Sequence, residues 1–124
     1  MKNTENFGYL GHNFQLKILN LIITDKLFAQ SIIDSIQSKY FDNQYFKLIM
    51  QMMKEYHEKY QSIPSFEGIE QLTQMEISSE MAKKCVIDML RDIKEASFED
   101  HLFIKEKTVK FCKQQELKKA IRKV

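Results

Sequence analysis

From Phe103 to Lys123 the chain reads Phe-Ile-Lys-Glu-Lys-Thr-Val-Lys-Phe-Cys-Lys-Gln-Gln-Glu-Leu-Lys-Lys-Ala-Ile-Arg-Lys, with no glycine, asparagine or proline. Those are the residues that end helices. The spacing therefore predicts one long helix with no stop signal, expected to continue past Val124. Its apolar pattern changes side along the way. At ~100° per residue, Ile104, Thr108, Phe111 and Cys112 fall on one face. Leu117, Ala120, Ile121 and Val124 form a second stripe, with i, i+3, i+4, i+7 spacing, on roughly the opposite side. The drift of a straight helix against a heptad repeat is only ~20° per seven residues, too little to produce the switch. A helix with two successive apolar faces is expected to pack on two bodies: its own domain first, then a partner helix or a second subunit. The second stripe is the expected self-association surface.

A chain of 124 residues is about one domain, long enough to bury a core without disulfide or metal staples. One proline and three glycines leave little turn chemistry for a many-stranded sheet. No stretch alternates with period two between turn residues, so the expectation is all-α, a compact bundle of about six helices. Residues 1–12 read as a flexible lead-in, 13–97 as a globular helical domain and 98–124 as the long terminal helix, the first leg of a hairpin. Within the domain, Asn13 is placed to cap a helix through Thr24 with Phe14, Ile18, Leu21 and Ile22 on its apolar side. Asp25 starts a second, with Leu27, Phe28, Ile32, Ile33 and Ile36 inward. Asp42 starts a third, to about Tyr60, with a stripe of Phe46, Ile49, Met53 and Tyr56. Pro64 disfavours α geometry at Ile63 and breaks the pattern. Ser65 opens a short helix carrying Phe66, Ile69 and Leu72. Ser78 or Ser79 opens a fifth, to about Ala96, with Met81, Cys85, Ile87, Met89, Leu90 and Ile93. Ser97 with Asp100 resembles a capping arrangement for the last helix.

Catalytic signatures are missing from the sequence. A phosphate-cradling GxxxxGK[ST] loop needs glycines in context, and Gly8, Gly11 and Gly68 have none, so no catalytic or cofactor-binding residue is assigned. His12, His57 and His101 lie in separate segments, without HExxH or CxxC spacing, and no metal ligand is assigned. Cys85 and Cys112 are expected to act as small core hydrophobes. Phe28, Phe46, Tyr56, Phe66 and Phe111 fall on apolar helix faces, which favours core packing over base stacking. Glu55 and Glu58, beside Lys54 and Lys59, read as a solvated surface with local ion pairs. The longest apolar run, residues 18–23, is far short of the ~18 residues of a membrane span, and the two cysteines without a secretory signal point to a reduced, cytoplasmic setting.

Charge is uneven. Residues 104–124 carry eight Lys or Arg against two Glu, a net of +6, whereas residues 1–103 carry eleven basic against fifteen acidic side chains, a net of −4. Lys113, Lys118, Lys119, Arg122 and Lys123 are the candidate contacts for phosphates or an acidic partner.

Three stretches together resemble the N-terminal domain of DnaB-type replicative DNA helicases, in the version found in phages and related bacterial elements. The first is Phe14-Gln-Leu-Lys-Ile-Leu-Asn-Leu-Ile-Ile-Thr-Asp-Lys-Leu-Phe28. The second is Tyr40-Phe-Asp-Asn-Gln-Tyr-Phe-Lys-Leu-Ile49, continued by Tyr56-His-Glu-Lys-Tyr60 and Ile63-Pro-Ser-Phe66. The third runs from Phe103 to Ile121. Gln61-Ser62 stands where the family often has a glycine turn. The resemblance implies an all-α domain leading into a helical hairpin; such hairpins pair between subunits and build the collar of a hexameric ring, which also receives primase or a helicase loader. It further implies that ATP and magnesium belong to a separate RecA-like domain, none of whose site residues map here. Under this reading, binding of the chain to DNA is expected to be weak and without sequence preference; the competing reading is a free-standing small helical protein that binds nucleic acid through its basic last helix.

Overall fold

The computed structural model describes residues 5–97 and 99–122, with the backbone alone at Arg122. It is all-helical: α1 (His12–Thr24), α2 (Lys26–Ile32), α3 (Gln44–Tyr60), α4 (Phe66–Glu76), α5 (Glu80–Glu95) and α6 (His101–Arg122), with short 3-10 turns at Phe7–Leu10 and Ser38–Tyr40. Val124 and Lys123 lie outside the described residues.

Local chemistry explains where the helices start. The Asp25 carboxylate accepts from Phe28 N at 3.0 Å, Ser65 Oγ from Gly68 N at 3.0 Å, and Ser79 Oγ from Ala82 N at 3.2 Å, each satisfying an amide that the first turn leaves unpaired. At α3 the cap is Asn43, accepting from Tyr45 N and Phe46 N, one residue beyond the expected Asp42. α1 starts at His12 after Gly11, whose φ of +93° suits glycine. α6 starts at His101, so Asp100 occupies the position before the helix and the expected Ser97 cap falls outside it. At the end of α3 the glycine-free loop is handled by Gln61, which takes the left-handed conformation (φ 59°) while its side chain donates to His57 O and Glu58 O.

α1 lies against α2, α5, α6 and the first 3-10 turn. α3 packs on α4, α5 and the second 3-10 turn, and α6 crosses α1 and α2. Two side-chain amides, one buried (Gln15) and one half-buried (Asn20), tie this frame together. Gln15 donates to Gly11 O and accepts from Asp42 N, joining the start of α1 to the approach of α3; Asn20 donates to Ile93 O, joining α1 to the end of α5. Hydrogen bonds of this kind offset the desolvation of the groups they join and fix register.

Three expectations change. The stretch expected as a flexible lead-in through residue 12 contains Phe7, which is fully buried, its ring centroid 4.5 Å from Phe111, 5.1 Å from Phe41 and 6.1 Å from Tyr40. Residues 7–12 thus belong to the core's architecture. Leu27 and Met81, expected inward, are 79% and 72% exposed; Val86 is buried instead. At ~100° per residue each lies roughly opposite the centre of its helix's buried face, whose residues suffice to fill the core. Lys54, expected on a solvated face, turns inward: its Nζ donates to Ile33 O at 3.1 Å and to Ile36 O, carbonyls of the turn that follows α2. Burial lowers the Lys54 pKa, against the opposing pull of Asp34 and Glu58.

Candidate docking surface

α6 divides into two halves. In the first, Ile104, Thr108, Phe111 and Cys112 are all buried. Thr108 is tolerated there because its hydroxyl donates to Ile104 O at 2.7 Å, leaving its methyl to the core. Burial pushes the Cys112 thiol up to about 12, which leaves it protonated and poorly nucleophilic at neutral pH. Cys85 is half-buried, and both thiols are free.

In the second half the stripe points away. Leu117 and Ile121 are 62% and 65% exposed, and Ala120 is exposed as well. Leu117 stands between two hollows. On one side lies a groove of about 1070 Å³ between α2 and α6, with Leu27, Phe28, Leu102, Val109 and Leu117 as its apolar part and Lys110 and Lys113 along it. On the other side a hollow of about 390 Å³ is formed by Tyr9, Gln114, Leu117, Lys118 and Ile121. The groove is braced at α2 by the Lys105–Asp25 ion pair. The Lys105 ammonium first, and the Phe28 N–H next, hold the Asp25 carboxyl below the usual carboxylate range.

Leu27 and Leu102, 79% and 73% exposed, extend the apolar surface beyond the predicted stripe. Sequence reasoning missed Leu102 and Val109 because, although at ~100° per residue they fall towards the side of the second stripe, they precede it in the half of α6 whose pattern is set by the inward face. Exposed large aliphatic side chains of two helices that line one groove differ from the scattered apolar residues normal on a surface. Of the basic candidates, Lys113 is exposed and Lys118 and Lys119 are half-buried; Arg122 continues the helix, and Lys123, like Val124, is outside the described residues.

Among the described residues no group of His, Cys, Asp or Glu could hold a metal ion, and no helix is long and apolar enough to cross a membrane. His12 lies against the Phe46 ring, with centroids 5.1 Å apart. Comparisons with protein-family models, with curated proteins and with solved structures gave no match.

Proposed function

We propose that this chain is a non-catalytic assembly and partner-docking domain of a hexameric, ATP-dependent replicative DNA helicase, with primase or a loader as its external partner. The reading rests on the resemblance of residues 14–28, 40–66 and 103–121 to the N-terminal domain of that helicase family. The observation that supports it best is the exposed stripe Leu117–Ile121, of which Leu117 lines the α2–α6 groove together with exposed Leu27 and Leu102. The occupant proposed for this surface is a second copy. Leu117 and Ile121 of one copy would lie against Leu27 and Leu102 of the other, reciprocally, as two-fold symmetry requires.

The energetics make the contact weak. Fully burying a Leu or Ile is worth roughly 1.5–3 kcal/mol, and about two-thirds of each of these side chains remains to be buried. Each anchor then contributes about 1–2 kcal/mol, against an association cost of roughly 4–15 kcal/mol. Light scattering across a dilution series tests the reading. Concentration-dependent association is expected, lost in Leu117→Asp and Ile121→Asp while the circular dichroism of the helices stays unchanged. A strict monomer at high concentration, indifferent to both substitutions, removes assembly as a property of this chain.

A further inference from the structure

The α2–α6 groove carries charge as well as apolar surface, and along α6 that charge is graded. From Glu99 to Glu106 the chain has three acidic side chains against one lysine; from Lys113 to Arg122 it has four basic side chains against one glutamate. Leu102, Glu106, Val109, Lys113 and Leu117 all line the groove. At ~100° per residue they fall within about 80° of one another, on one face of the helix. Glu106 and Lys113 are both exposed, and neither takes part in an ion pair among the described residues. Lys105, by contrast, is already held by Asp25.

A second copy docked here about a two-fold axis perpendicular to α6 runs antiparallel to it. The basic end of each copy then meets the acidic start of the other. A parallel pair would set Lys110 and Lys113 against themselves, and like charges facing one another across an interface are unfavourable. The apolar residues choose the register. Leu102 and Leu117, exposed leucines at the two ends of the groove face, come level with each other when the axis passes between Val109 and Lys110. That same placement sets Glu106 level with Lys113 of the other copy, twice by symmetry. Positions seven residues apart differ by only ~20° around a helix, so Glu106 and Lys113 lie on the same line of the seam. Lys105 comes level with Gln114, which is uncharged, and Lys110 with Val109, which its four-carbon stem can cover. Shifting the axis one turn, ~5.4 Å, towards the basic end loses both ion pairs and sets Lys113 beside its own copy.

We propose that two copies pair antiparallel along α6, centred between Val109 and Lys110, with Leu102 against Leu117 and Glu106 against Lys113 on both sides of the axis. This rests on the second copy proposed above as the occupant of the groove, and adds what selects it. The leucines supply the apolar contact; the two reciprocal ion pairs set direction and register. Exposed pairs of this kind add little affinity. Their effect lies in the alternative arrangements they exclude.

The test is charge reversal in the 124-residue chain, read by sedimentation velocity over a dilution series at low ionic strength. Glu106→Lys leaves two lysines facing each other at each contact, and Lys113→Glu leaves two glutamates. Each is expected to raise the Kd of self-association about tenfold, because two attractive contacts become two repulsive ones. Both positions are exposed, so the circular dichroism of the helices should not change. An equimolar mixture of the two variants places opposite charges at both contacts again, and is expected to associate as tightly as wild type. Glu70→Lys and Lys84→Glu make the same changes in net charge at exposed positions of α4 and α5, and are expected to leave association unchanged. Association that is lost in Leu117→Asp but indifferent to Glu106→Lys and Lys113→Glu overturns the register and leaves the assembly reading standing. Failure of the mixture to recover association, or equal weakening by the α4 and α5 reversals, overturns the register as well. A wild-type chain that stays monomeric at high concentration removes both.

Discussion

Truncating Phe7 to alanine is the sharpest test of how the domain is held together. The ring is fully buried and touches three other aromatic rings, from the second 3-10 turn, from Phe41 and from α6. Phe→Ala at such a site costs about 3–5 kcal/mol through lost transfer energy and the cavity left behind. The upper half of that range is expected here, because the edge-on and tilted ring pairs add roughly 0.5–1.5 kcal/mol beyond area burial. For a domain of this length the loss corresponds to a fall in Tm of about 10–20 °C. Urea unfolding followed by circular dichroism measures it. The midpoint should drop at constant m-value, and deletion of residues 1–10 should destabilise at least as much. Tyr9→Ala, in the same turn but 43% exposed, should cost less than about 1 kcal/mol. A cost below about 1 kcal/mol for Phe7→Ala would refute the reasoning and return the first twelve residues to a detachable lead-in.

Other outcomes follow from single contacts. Lys54→Met removes the donor to Ile33 O and Ile36 O while keeping much of the stem's volume; a loss of about 1–3 kcal/mol is expected in chemical denaturation, whereas Lys59→Met should be near neutral. Asp25→Asn keeps an acceptor for Phe28 N but breaks the ion pair with Lys105. Because the folded-state pKa of Asp25 is lowered, the stabilisation is present above the unfolded carboxylate's value of ~3.9 and is lost as pH falls through the folded one. Wild type should therefore exceed the variant by about 0.2–1 kcal/mol at neutral pH, the gap closing below about pH 4. Binding to a DNA oligonucleotide, measured by anisotropy, should be weak and should decline linearly on a log–log plot against salt; tight sequence-selective binding at physiological salt would favour the free-standing nucleic-acid-binding reading.

The helices were legible because their signals are local. Asp25, Ser65 and Ser79 cap the elements they were expected to cap, and the inward face Ile104–Thr108–Phe111–Cys112 follows from angular spacing alone. Phe7 was illegible because a lone aromatic between polar residues and a glycine has no period; only the space between Tyr40, Phe41 and Phe111 explains its burial. Lys54 was misread for a related reason, since its neighbours in sequence are surface charges and its partners are carbonyls of the turn that follows α2. At the docking surface, Leu117 and Ile121 could be found from a stripe with nothing left to cover it. Leu27 could not, because its exposure depends on how many residues α2 needs to fill its side of the core.

α6 runs unbroken from its buried half to its exposed half, with neither glycine nor proline between His101 and Arg122. The eight residues from Gln115 to Arg122 make a rigid segment of about 12 Å at 1.5 Å per residue, clamped at its root by Phe111 and Cys112 in the core and flanked on one side, through buried Gln115 and half-buried Lys118 and Lys119, by the Ser38–Tyr40 turn. Such a segment has no hinge. A load applied at Leu117 or Ile121 reaches the Phe7–Tyr40–Phe111 ring cluster as a tilt of the whole helix, so anything that grips the segment also sets the orientation of the body behind it.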